Sequence, residues 1–183
     1  MIQVQNDRLH FNWLGESGGP YPRYEVIREG FDRVLRHFID FVRQESVGDF
    51  RPNQWEVTYV NHIPQGTVWK TPGDWRFFRL LGSGQTIKSP VRCEGFTGEW
   101  HFQIPEERGR LHISWQRAKR TASEHKSEEL VRLMLTARGP LKPTESDVAT
   151  IIDDLNLGRE TIVRSFQCFM SDDANKYWGL KHA

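Results

Sequence analysis

Cysteine is nearly absent. Cys93 and Cys168 are the only two in 183 residues, and neither forms a CxxC pair or stands with histidine at zinc-ligand spacing. A reduced cytoplasmic chain is a simpler reading than a disulfide-linked one. Long apolar runs are missing too. No stretch approaches the roughly 18 apolar residues of a membrane span, and the alternating residues from Met1 to Trp13 suit a strand and not a signal peptide. A dominant charge sign is also lacking. Lys plus Arg total 25 and Asp plus Glu 24, a net charge of +1, which counts against nucleic acid held by bulk electrostatics while leaving room for a local basic patch. No GxGxxG, Walker A or HExxH string occurs, and Gly82-Ser83-Gly84 is not a Gly-x-Ser-x-Gly elbow. Standard nucleotide-binding and hydrolase readings therefore have no support, and no cofactor is expected.

What is present is aromatic. Phe, Trp and Tyr make up 12% of the chain, with seven Trp, against 37% hydrophobic residues in all. Each large ring buries roughly 150–250 Å², so a chain modest in aliphatics still builds a core. The length is that of one domain spanning 1–183.

The first apolar residues alternate. Ile2 and Val4 share one parity, Leu9, Phe11 and Trp13 the other. A two-residue turn at Asn6-Asp7 pairs Gln5 with Arg8, Val4 with Leu9 and Ile2 with Phe11, placing every apolar side chain on one face. After a Gly-rich loop at 15–20, the i, i+3, i+4 spacing of Tyr24, Ile27, Phe31, Val34, Leu35, Phe38, Phe41 and Val42 predicts a helix over about 23–47. Gly48 stands where a left-handed cap belongs.

Residues 55–63 alternate as a strand, with Trp55, Val57, Tyr59, Asn61 and Ile63 on one side. Residues 64–90, rich in Gly and Pro, read as a long irregular loop of the kind that serves as a lid or binding segment. Asp74 is placed to cap a short turn through Trp75, Phe77, Phe78 and Leu81. A meander follows. Its hairpin closes at 106–109 and pairs Ile104 with Leu111, Phe102 with Ile113 and Trp100 with Trp115. A charged loop at 118–128 leads to a strand with Val131, Leu133, Leu135 and Ala137 inward. A linker at 140–144 precedes a C-terminal helix capped by Thr144, with Asp147 in a capping-box contact. Its stripe is Val148, Ile151, Ile152, Leu155, Ile162, Phe166 and Phe169, interrupted near Gly158. Ser171 caps a last short turn reaching Tyr177 and Trp178. The expected class is α+β: an antiparallel sheet of about six strands, hairpin plus meander, with two long amphipathic helices on one face in a helix-grip-like arrangement.

Several strings stand out together: IQVQNDRLHFNW (2–13), YPRYE (21–25), RPNQWEVTYVNHIP (51–64), LGRETIVRSF (157–166) and YWG (177–179). In combination they resemble an uncharacterised, sporadically distributed bacterial family of hypothetical proteins. The likeness spans nearly the whole chain, with 65–92 the loosest part. Members of that family look longer at the front, with a strand and a helix before the hairpin, so this chain resembles an N-terminally short member or one whose start is placed late. The resemblance implies no activity. An absent front unit would leave a sheet edge and apolar surface uncovered, so a second copy or a partner protein is expected there.

Four constellations carry chemistry in principle. His101 and His112 lie on the polar face of the meander with Glu99, Gln103, Ser114 and Gln116; the expected register sets His101 opposite Ser114 and His112 opposite Gln103. Two imidazoles and a carboxylate are the minimum for a metal or acid–base site, against the plainer reading of a solvated sheet face. Cys93 beside a histidine would be a nucleophile, against the plainer reading of a small buried residue. Trp115, Arg117, Lys119, Arg120 and Lys126 combine an aromatic with cations, as single-strand binding needs, though Glu124, Glu128 and Glu129 dilute the charge. Finally, Asn12, Trp13, Arg23, Tyr59, Asn61, Trp69 and Arg159 are the residues expected to line a cleft between helices and sheet, with Arg23 and Arg159 receiving an anionic group. Asn61 faces the apolar side, where a lone buried amide costs roughly 1–3 kcal/mol. A non-catalytic interaction module, self-associating or docked to a partner protein, ranks first. A ligand-binding or enzymatic cleft gated by 64–90 ranks second, and single-stranded nucleic acid on the 115–126 hairpin third. If the aromatics of 64–90 fill the cleft, the interaction reading gains.

Overall fold

The computed structural model describes residues 1–5, 7–13, 22–79, 81, 91, 93–123, 126–141 and 147–180, with backbone alone at 121–123 and 126. The expectations placed on Asn6, Tyr21, Thr144 and residues 15–20 and 82–90 lie outside that set. The α+β class holds: six antiparallel strands form a two-stranded and a four-stranded sheet with helices packed against them. The chain divides into two compact units, 1–53 with 141–154, and 54–140 with 155–183.

The first unit begins with a hairpin of β1 (Ile2–Gln5) and β2 (Arg8–Phe11). Its register is the one the alternation predicts, Ile2 opposite Phe11, Val4 opposite Leu9 and Gln5 opposite Arg8. The Asn12 amide closes the open end onto the Met1 carbonyl at 2.8 Å. An isolated hairpin is marginal in water, and here the helix α1 (Tyr24–Gln44) supports it. Gly30 of α1 lies so close to the Phe11 ring that a Cβ would stand 2.7 Å from it, which explains a glycine inside a helix.

Helix α1 ends three residues before the expected point. Ser46, at φ 52°, takes the left-handed position, and the Val47 amide reaches back to the Val42 carbonyl, a Schellman closure. Gly48 lies beyond it. Phe41, expected in the buried stripe, is 53% exposed.

In the second unit, β3 (Gln54–Pro64), β4 (Thr97–Ile104), β5 (Gly109–Ser123) and β6 (Lys126–Pro140) form a sheet in the order β3-β6-β5-β4. Odd positions of β3, β5 and β6 and even positions of β4 share one face. It carries Trp55 and Ile63, Leu111, Ile113 and Trp115, Val131, Leu133, Leu135 and Ala137, all buried. The last four are inward as the sequence predicts.

The β4–β5 register differs from expectation by two residues. Ile104 pairs with Gly109, Phe102 with Leu111 and Trp100 with Ile113. The reversal is tighter than the predicted one because Glu106 and Glu107 both adopt positive φ, 59° and 56°, as a two-residue type I′ turn requires. Gly109, at φ 153°, then presses against the Arg138 carbonyl, where a Cβ would come within 2.3 Å. A two-residue shift preserves parity, so every side chain keeps its predicted face.

The described residues of the charged loop expected at 118–128, namely 118–123 and 126–128, are instead strand, and charges pair there across the β5–β6 ladder. Arg117 and Lys119 both reach Glu129, at 2.7 and 3.2 Å, and Arg120 reaches Glu128.

Helix α2 (Val148–Phe169) starts at Asp147, whose carboxylate accepts the Thr150 amide at 2.7 Å. Asp147 is therefore the N-cap itself. That hydrogen bond, followed by one from the Thr150 side chain, holds the Asp147 carboxyl below its usual range. The helix runs through Gly158 without a break, since this glycine fits against Trp55: a Cβ would lie 2.7 Å from the indole. Ser171 caps α3 (Asp172–Tyr177), as expected, by accepting the Ala174 amide at 3.2 Å.

Two stability outcomes follow from these contacts. At Gly98 of β4 a Cβ would fall 2.4 Å from the buried Trp115 ring, so Gly98→Ala destabilises by about 1–3 kcal/mol in urea unfolding, the usual overpacking cost. In the turn, replacing Glu106-Glu107 with Asn-Gly relieves two left-handed residues that disfavour glutamate. That double variant gains about 1–2 kcal/mol in the same assay.

Candidate functional site

The two faces of the four-stranded sheet offer different chemistry, and the apolar one is filled. Trp69, Phe77 and Phe78, from the segment expected to gate a cleft, are at most 2% exposed. Phe78 pairs with Met170 in an isolated bridge. Around it the Arg79 amide donates to the Phe169 carbonyl and the Ser171 amide to the Phe77 carbonyl. The Phe78 ring lies 5.3 Å from Trp115 and 6.1 Å from Trp100, and Trp75 stacks on Phe96 at 3.9 Å. Asp74 does not cap a helix. It accepts the Lys70 amide and pairs with Arg76. The described part of 64–81 is thus a packed flap whose rings complete the core.

The residues expected to line a cleft are distributed over both units. In the first, Asn12 donates its side-chain amide to Gln3 Oε1 at 3.1 Å, Trp13 is exposed, and Arg23 is the exposed residue preceding α1, with no side-chain cap bond. In the second, Tyr59 and Asn61 sit on the apolar side of β3 opposite Leu135 and Leu133, both half-buried. Asn61 has no sealed, unpartnered amide atom, so the cost of a lone buried amide does not arise. Trp69 is a core indole whose one donor is taken by the Ile63 carbonyl at 2.9 Å. Arg159 is half-buried on α2, where Glu160 pairs with Arg164 as the i, i+4 spacing suggests. Cys93 and Cys168 are both exposed free thiols, which corrects the buried reading of Cys93. The Cys93 Sγ lies 3.5 Å from the Pro72 and Gly95 carbonyls.

The opposite face is an ordered polar lattice. Reading across the strands in the order β3, β6, β5, β4, one row is Glu56, Arg138, Arg110, Gln103. The next is Thr58, Thr136, His112, His101, then Val60, Met134, Ser114, Glu99, and last His62, Arg132, Gln116, Thr97. Sequence reasoning found the histidines on this face but placed them diagonally. The two-residue register change sets His101 directly opposite His112, with ring centroids 4.4 Å apart. Glu99 lies 3.7 Å from His101 Nε2, and the Thr58 and Thr136 hydroxyls bond at 2.9 Å. Reasoning from sequence missed the arginines, because β6 was read only for its inward residues. Arg110 and Arg138 are direct cross-strand neighbours.

His112 is held below its usual value, first by partial burial and then by Arg138, His101 and Arg110, with Glu99 acting the other way. His62 is lowered by partial burial, then by Arg120 and Arg132. Glu129 is held low chiefly by the Arg117 hydrogen bond, against the effect of its burial. Of the hairpin cations read as a nucleic-acid patch, Arg117, Lys119 and Arg120 are thus paired with Glu128 and Glu129, and Trp115 is on the buried face. Among the described residues no group of three or more His, Cys, Asp or Glu is placed to hold a metal. No helix among them is long and apolar enough to cross a membrane. No protein-family model, curated protein or solved structure matches this chain.

The histidines set a pH dependence. A folded-state pKa below the unfolded 6.5 means that the unfolded chain binds more protons, so stability falls as pH drops below that value. The melting temperature therefore declines between about pH 7.5 and 5.5, the range around the ordinary histidine value. The double variant His62→Gln, His112→Gln flattens that decline in differential scanning fluorimetry.

Proposed function

We propose that this protein is a non-catalytic interaction module that associates with a second copy of itself, in the reducing cytoplasm. The observation that carries the reading is the burial of Trp69, Phe77 and Phe78. A small-molecule site needs a concave space of roughly 300 Å³ or more, and on the apolar side of the four-stranded sheet the chain's own rings occupy it. Filling of the expected cleft by these rings supports the interaction reading over a ligand-binding or enzymatic cleft.

Association has its own support in the first unit. Ile2 and Val4, at 53% and 58% exposure, stand on the same side of the hairpin as Leu9 and Phe11. Met1, Val26, Phe41 and Val47 of the same unit are also exposed. Among the described residues no strand pairs with the outer edge of β1. An antiparallel edge meets its own copy by a two-fold rotation, which is the commonest closed symmetry. Two exposed thiols fit a reducing compartment. The resemblance to an uncharacterised bacterial family assigns no activity and is itself part of the proposal.

Light scattering coupled to size exclusion tests it. The expected mass is twice that of the 21.5 kDa chain or an even multiple, and Val4→Lys, which charges the open edge, halves it. A monodisperse monomer with a well-dispersed spectrum at every accessible concentration would refute the reading.

A further inference from the structure

The lattice on the exposed face of the four-stranded sheet is unevenly charged in a way a solvated surface does not require. Its three arginines, Arg110, Arg132 and Arg138, all lie on the central strands β5 and β6, whereas Glu56 and Glu99 lie on the outer strands β3 and β4. Within these four rows positive charge runs down the middle and negative charge stays at the rims; two rows further along, Arg120 and Glu128 neutralise each other. None of the three arginines forms an ion pair with a described carboxylate, although the other cations of β5, Arg117, Lys119 and Arg120, do. Glu56 stands opposite Arg138, yet its recorded hydrogen bond is from the Thr58 hydroxyl.

Arg110 and Arg138 are moreover direct neighbours across the ladder. Like charges in that position repel and lower stability, so an unneutralised pair calls for a compensating anion. The row beside them presents the paired rings of His101 and His112. His112 Nε2 is sealed from water, so the more exposed His101 ring is the one this row offers to a ligand. Val60, 48% exposed, and Met134 add a small apolar strip in the third row. Arg132, with Gln116 and His62, closes the far end. From Arg138 to Arg132 the distance along β6 is about 20 Å at the usual strand rise.

Cations at both ends, with rings and hydroxyls between them on an exposed sheet face, suit an extended polyanion that also carries flat rings. We propose that this face binds a single strand of nucleic acid, its phosphates held by Arg110 with Arg138 at one end and Arg132 at the other, and a base stacked on the exposed His101 ring, which the His112 ring supports, tilted at an interplanar angle of 53°. Arginine forks match phosphate oxygens, and stacking on side-chain rings tolerates any base. An acidic peptide would meet the arginines but leave the rings unused. A duplex would not expose its bases to them. The proposal uses none of the hairpin residues proposed for self-association, so mass measurements and strand binding can fail independently.

Fluorescence anisotropy with a labelled single-stranded RNA of about 12 nucleotides, within the usual range of single-strand sites, provides the test across a series of potassium chloride concentrations. Three phosphate contacts predict that log K falls against log salt with a slope of about −2, from the roughly −0.7 per contact of single strands. Arg110→Ala, Arg132→Ala and Arg138→Ala each make that slope shallower by about 0.7. His101→Ala weakens binding about tenfold while leaving the slope unchanged. Arg110→Ala also removes the cross-strand repulsion, so its melting temperature without RNA is equal to or above that of the parent, which separates lost binding from lost folding. Three results overturn the proposal: no binding by the parent at low salt, a slope indifferent to all three arginines, or competition by a polyglutamate of equal length as effective as by unlabelled RNA.

Discussion

The second unit depends on close approach between backbone and indole. Trp55 is wedged against Gly139 of the neighbouring strand and Gly158 of α2, where a Cβ at either would come within 2.8 Å of the ring. Trp115 lies in the same way over Gly98. Rings held this tightly fix where α2 crosses the sheet and which residue of β4 faces which residue of β5. Once they are seated, parity does the rest, because a strand that sends Trp55 inward must send Glu56 and Thr58 outward. The polar lattice is therefore a consequence of core packing: its rows are in register because the rows behind them are.

The same constraint explains which features the sequence made legible. Parity was readable wherever bulky apolar residues recur at every second position, and it gave the hairpin register of β1 and β2 and the inward set Val131, Leu133, Leu135 and Ala137. Register in the β4–β5 hairpin was not readable, because it depends on Glu106 and Glu107 accepting left-handed geometry, which neither residue type advertises. The end of α1 was obscured similarly: Ser46 takes a conformation that a glycine two residues later seemed made for. The charged stretch from Ala118 to Glu128 looked like a loop because charge is a weak strand signal. Only cross-strand partners such as Glu129, shared by Arg117 and Lys119, make it a ladder.

For function the gap is wider, and the reason is again physical. The residues chosen from sequence for a cleft, among them Asn12, Arg23, Asn61 and Trp69, were selected by type, and type does not reveal whether a group is already satisfied. Trp69 is spent on the Ile63 carbonyl and Asn12 on Gln3. The informative quantity was which charges find no partner, and that depends on register. Arg110 and Arg138 are 28 positions apart in sequence and become neighbours only when β5 and β6 pair.

The two units also differ in what they leave unsatisfied. The hairpin unit exposes aliphatic side chains and an open strand edge, whose natural complement is another backbone edge with a similar apolar face. The sheet unit buries its rings and exposes guanidinium groups that meet no carboxylate among the described residues, and their complement is an anion. Hydrophobic association is indifferent to moderate salt, while contacts between exposed charges weaken as the Debye length shrinks from about 10 Å at 0.1 M salt to about 3 Å at 1 M. Raising ionic strength would therefore dissociate one kind of contact and spare the other. The two proposed contacts are thus distinguishable by their different responses to salt.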